Sequence, residues 1–124
     1  MKALTYQAEF DDGTEVRLAL LSYIEDDVHV IYSPSLDLYG YGNDESEARA
    51  SFTVSLEAYV TYTFEEKTLA DDLKRLGWQV DPQSHKVKMP DWISLLQANV
   101  HLNDVVNNKA FKKFDQVTRI PAFA

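Results

Sequence analysis

Apolar and polar residues alternate at the start of the chain: Leu4, Tyr6, Ala8 and Phe10 against Thr5, Gln7 and Glu9. A period of two predicts a half-buried strand. Asp11-Asp12-Gly13 supplies turn chemistry. Val16, Leu18, Leu20, Ser22 and Ile24 then alternate with Glu15, Arg17 and Ala19, which predicts a second strand paired with the first as a hairpin. Glu25-Asp26-Asp27 predicts another turn. Residues 28–32 are β-branched and aromatic, a third strand closed by Pro34.

From residue 44 the period changes. Asp44-x-x-Glu47 has the form of a capping box, and Ala48, Phe52, Leu56, Tyr59 and Thr63 follow at steps of three and four. This predicts a helix over 44–64, held by packing because Thr53, Val54, Val60 and Thr61 are weak helix formers. A second helix is expected at 68–76, with Thr68 as its cap, Leu69, Leu73 and Leu76 as its buried stripe, and Gly77 as its left-handed stop. Residues 78–80 and 86–89 are short extended candidates. Two short helices are expected at 91–99 and 102–108, and a last strand at 117–120 before Pro121. Strands first and helices later predict an α+β fold. The expected form is a three-stranded antiparallel sheet with helices on one face and a further short strand. Gly40 and Gly42 are expected to serve turns.

The chain has 124 residues, enough to bury a core without metal or disulfide. It contains no cysteine, which removes thiolate zinc sites and cysteine nucleophiles. No apolar run approaches a membrane span, and the start carries no signal-peptide pattern, so a cytoplasmic location without membrane contact is expected. The formal charge is −8. It is unevenly spread: residues 1–80 carry six basic and sixteen acidic side chains, whereas residues 81–124 carry six basic and four acidic. Asp81-Pro82 punctuates the two parts. Residues 1–80 are read as one domain and 81–124 as a C-terminal extension packed on it. An acidic body argues against a general nucleic-acid coat and favours a basic protein partner.

The run from Tyr32 to Ala48 ends a strand, crosses a loop bearing Pro34 and Gly42, and opens a capped helix. It resembles the HicB-like antitoxin family at Tyr32, Pro34, Leu36, Gly42, Asp44, Glu47 and Ala48, and the resemblance covers about residues 1–80. In place of the family's usual Pro-Gly-Cys-type turn stands Asp37-Leu38-Tyr39-Gly40. The DNA-binding tail of many members is not evident. The resemblance implies a degraded ribonuclease H-like sheet that binds and neutralises a small basic toxin ribonuclease without catalysis.

Catalytic chemistry is poorly provided for. Asp11, Asp12, Glu25, Asp26 and Asp27 sit in turns, while the centre of the first strand holds Thr5 to Ala8. His29, His85 and His101 have no metal-ligand spacing. Gly40-Tyr41-Gly42 lacks the lysine and spacing of a phosphate loop. No catalytic residue, metal or cofactor is therefore expected. Tyrosine and large apolar residues favour interface cores. Leu36, Leu38, Tyr39 and Tyr41 are accordingly the leading partner-binding residues, with Glu25, Asp26 and Asp27 as charge contacts. Tyr59, Tyr62 and Phe64 read as core or dimer-facing, and a homo-oligomer is expected. Lys109, Lys112 and Lys113 form a basic cluster that leaves DNA contact open, though no reading element accompanies it. Two alternatives stand beside the antitoxin reading. One is a metal-dependent nuclease in which Asp11, Asp37 and Asp44 converge; the other is a homodimeric structural or regulatory domain seamed by its tail strand.

Overall fold

The stretch Leu18-Ala19-Leu20-Leu21-Ser22-Tyr23 is apolar at both parities, so a strand running through it has two faces to bury. The computed structural model, which describes residues 14–81, 83–84 and 86–121, shows this arrangement. The strand expected at 4–10 and its Asp11-Asp12-Gly13 turn lie outside the described residues. Strands β1 (Thr14–Glu25), β2 (Val28–Ser33), β3 (Leu38–Gly42) and β6 (Phe111–Ile120) form one antiparallel sheet in the order β3-β2-β1-β6. Between them come helices α1 (Glu45–Glu65) and α2 (Leu69–Arg75), then a two-stranded hairpin of β4 (Gln79–Asp81) and β5 (Lys86–Lys88). Helices α3 (Trp92–Ala98) and α4 (Val100–Asn108) complete the chain before β6.

Three expectations are corrected. The sheet has four described strands where three were expected, because residues 38–42 pair with β2 and residues 111–120 pair with β1 along their whole length. The helices occupy both faces. Val16, Leu18, Leu20 and Ile31 pack with Phe52, Leu56 and Val60 of α1 and with Leu69 and Leu73 of α2. Leu21, Tyr23, Val30 and Tyr32, at the opposite parity, pack with Leu102 and Val105 of α4. The third correction concerns Gly40 and Gly42. Both lie within β3, under α1. A Cβ on Gly40 would stand 2.3 Å from the Phe52 backbone nitrogen, and one on Gly42 2.5 Å from that of Ala48. The glycines let helix backbone rest directly on strand backbone.

Local signals behave as their chemistry dictates. Asp44 Oδ1 accepts the Glu47 N–H at 2.8 Å, and Glu47 Oε1 accepts the Asn43 N–H at 2.8 Å, completing a reciprocal cap on α1. Ser51 Oγ accepts the outward Tyr41 N–H at 3.1 Å, so α1 also blunts the open edge of β3. Thr68 makes no side-chain cap on α2; its hydroxyl donates back to the Thr63 carbonyl. Gly77 ends α2 at φ +95. Trp78 follows, buried, with its indole N–H donating to the Ser35 carbonyl at 2.8 Å. That bond ties the β2–β3 turn to the joint between α2 and β4. Tyr59 is half-buried on α1 and its hydroxyl donates to Asp72, whereas Tyr62 is 65 % exposed.

Candidate functional site

Side chains alternate along β3, so Leu38, Gly40 and Gly42 share one face and Tyr39 and Tyr41 the other. Gly40 and Gly42 turn to α1, so Tyr39 and Tyr41 project from the opposite face of β3. Tyr32 on β2 lies directly across from Tyr39. The three rings form a row. Tyr32 and Tyr39 stack with centroids 4.6 Å apart, and Tyr39 and Tyr41 are nearly parallel at 6.0 Å. His101 of α4 meets Tyr32 edge-on at 5.1 Å and Tyr39 at 5.8 Å. Hydroxyls at the base are tied to α4 and its cap: Asn99 Nδ2 donates to Tyr32 Oη at 2.7 Å, and Tyr23 Oη lies 3.2 Å from His101 Nε2. Burial pushes the Tyr23, Tyr32 and Tyr39 phenols above their ordinary range, so they remain neutral hydrogen-bonding groups at physiological pH.

The row runs from shelter to solvent. Tyr32 is fully buried, Tyr39 half-buried and Tyr41 55 % exposed. Beside Tyr39 and His101 opens a cleft of about 730 Å³, walled by Arg75 and Leu76 of α2 on one side and by Ser94 and Leu95 of α3 on the other. Its volume lies within the usual span of ligand and side-chain receptor sites. Its charged lining balances, Asp37 and Asp91 against Arg75 and Lys88; Arg75 is paired with Asp72 at 2.9 Å, and Asp91 accepts the Ser94 N–H at 2.8 Å as the cap of α3.

The expected contact residues divide among different environments. Leu36 is 2 % exposed and belongs to the main core, and Leu38 packs half-buried against that core. The fold uses both as packing. Tyr39 and Tyr41 reach the surface together. Glu25, Asp26 and Asp27 are exposed at the β1–β2 turn, where Glu25 pairs across with Val28. Asp26 and Asp27 have φ of 53 and 66, so both central residues of this two-residue turn are left-handed. Asparagine, aspartate and glycine are the residues such positions favour, so turn chemistry accounts for both aspartates.

The nuclease geometry does not assemble among the described residues. Asp37 precedes β3 and Asp44 follows it, at opposite ends of the strand, and no three His, Asp or Glu side chains come together as metal ligands. Asp11 and His85 lie outside the described residues. His29 is a half-buried strand residue on β2. The local pattern did not single out His101 or Asn99. Their partners are 78 and 67 residues away in sequence, and the only local sign was that His101 sits beside the buried Leu102.

The basic cluster is engaged as well. Lys112 Nζ lies 2.7 Å from Glu45 Oε1, Lys109 Nζ lies 3.8 Å from Glu25, and the Lys113 amine sits 5.2 Å above the Trp92 ring. Glu45 also accepts from Arg49 at 2.9 Å and from Ser22 at 3.2 Å, joining α1 to β1 and β6. Lys112, and after it Arg49, hold the Glu45 carboxyl down at about 2. A carboxyl lowered on folding adds stability above its ordinary pKa and loses it as pH falls toward 2. Glu45→Gln should therefore flatten the loss of stability between about pH 4.5 and pH 2. Urea denaturation across that range checks it; identical pH slopes for the two proteins would count against the network.

Comparison with family models, curated proteins and solved structures returns no match to this chain. No helix among the described residues is long and apolar enough to cross a membrane.

Proposed function

We propose that this chain is a non-catalytic protein-binding domain of the HicB-like antitoxin kind, acting in the cytoplasm, that covers and neutralises a small basic toxin ribonuclease. The observation that carries the reading is the surface on β3: Tyr41 stands 55 % exposed, stacked beside Tyr39, which itself lines the cleft. Solvent-facing tyrosine of this kind supplies large contact area at low conformational cost. The acidic β1–β2 turn and the net charge of −8 favour encounter with a basic partner. Neutralisation would be steric, by occlusion of the toxin's RNA-binding face.

The test is a calorimetric titration with any small basic protein encoded beside this chain, and the lack of such a neighbour would itself remove the toxin-neutralising reading. Tyr41→Ala should weaken binding tenfold or more while costing less than about 1 kcal/mol of stability, since an exposed ring supports little of the fold. Asp26→Asn combined with Asp27→Gly should stabilise the turn by about 0.5–1 kcal/mol and still weaken binding at low salt. Absence of any complex removes the antitoxin reading. A complex indifferent to Tyr41 and to both aspartates moves the interface elsewhere.

A further inference from the structure

We infer that α3 and α4 form a strap that opens as a local unit, uncovering the Tyr23–Tyr32–Tyr39 face while the rest of the domain stays folded. The strap leaves the β4–β5 hairpin after Lys88 and rejoins the sheet at Phe111, so both its ends are anchored. What holds its middle is less than what holds α1. Helix α3 buries no side chain completely and α4 buries only Leu102 and Val105, with Trp92, Leu95, Leu96 and Val106 half-buried against the same cluster and His101 against Tyr32 and Tyr39. Helix α1, by contrast, buries Ala48, Phe52, Leu56, Val60 and Thr63. Leu102 and Val105 belong to a small cluster that shares no buried residue with the main core. Loss of that cluster leaves the α1 side of the sheet intact.

The packing under the strap is also incomplete. The cleft of about 730 Å³ lies along one side of α3, and a second cavity of about 340 Å³, lined by Ala19, Ser35, Trp92 and Leu95, lies along another. The hydrogen bonds across the joint are few: Asn99 to Tyr32, and the Tyr23–His101 pair. The strap's internal bonds survive opening. Asp91 caps α3, Asn99 Oδ1 caps α4, and Asn103 Nδ2 donates to the Leu96 carbonyl at 2.9 Å, joining the two helices. Few buried contacts with intact internal bonding are the marks of a sub-global opening unit.

The chain contains no cysteine, so a single introduced thiol reports its own exposure. Leu102→Cys should react with a thiol reagent at least 100-fold faster than Leu56→Cys, at a rate nearly independent of urea below the unfolding transition. Equal rates with equal urea dependence would show that Leu102 is reached only by global unfolding and overturn the proposal. Hydrogen exchange on the unaltered chain avoids any loosening by the substitutions. Amides of α4 should exchange through an opening that leaves residues 52–60 of α1 protected; simultaneous exchange of both helices would overturn it equally.

Discussion

Gly40→Ala is expected to destabilise the domain by about 3 kcal/mol or more, the largest effect of any one-carbon change. The added methyl would meet the Phe52 nitrogen at 2.3 Å and the Ala48 carbonyl oxygen at 2.4 Å. Both are backbone atoms of α1, so no rotamer change relieves the clash. The helix must lift from β3, and Ala48 and Phe52, both essentially inaccessible, lose their bed. A domain of ordinary stability holds roughly 5–15 kcal/mol in total, so this is a large fraction. Gly77→Ala is the control. Gly77 has φ +95 but room for a methyl, which would make only ordinary contact with Pro90 Cβ at 3.6 Å. It should cost only about 1–2 kcal/mol, the strain of a left-handed alanine. Urea denaturation of both variants separates close approach from turn conformation; a Gly40→Ala loss no greater than that of Gly77→Ala would contradict the packing described.

Trp78→Ala should be comparably severe, at about 3–5 kcal/mol. Trp78 is 3 % exposed within the main core, and its indole N–H is the bond that fixes the Ser35 carbonyl. Trp78→Phe distinguishes the two contributions. It keeps most of the volume but leaves the Ser35 carbonyl without its donor, which costs about 1–3 kcal/mol. Ser35 begins the segment that leads through Leu36 and Asp37 into Tyr39. The phenylalanine variant should therefore also disturb the aromatic row, read as a change in near-ultraviolet circular dichroism greater than the loss of one indole produces. Full stability in Trp78→Phe would show that the hydrogen bond contributes nothing.

Sequence carried the local half of this structure. Asp44 and Glu47 form the predicted reciprocal cap, Gly77 ends α2 in the left-handed region, and α1 occupies Glu45–Glu65 against an expected 44–64. These features arise from neighbours within a turn or two. Features that depend on distant partners were hidden. Residues 38–42 looked like loop because two glycines lower strand propensity; only the closeness of Ala48 and Phe52 explains them. The second helical layer has a sign in Leu18 to Tyr23, largely apolar at both parities, whereas the alternation at 15–19 points to one buried face alone. Strand β6 was seen only at 117–120 because Lys112, Lys113 and Asp115 break the apolar pattern that β1 nevertheless pairs with. Tyr39 and Tyr41 were legible as contact candidates by composition. Their stacking with Tyr32 and the approach of His101 required the sheet register and the placement of α4.

The proposed neutralisation is tested most directly by RNA cleavage, with any small basic ribonuclease encoded beside this chain as the enzyme. Cleavage of a labelled RNA should stop when one equivalent of this chain per toxin-binding site is added, and Tyr41→Ala should require a tenfold or greater excess to do the same. Cleavage that continues unchanged in excess of the folded chain would contradict the account.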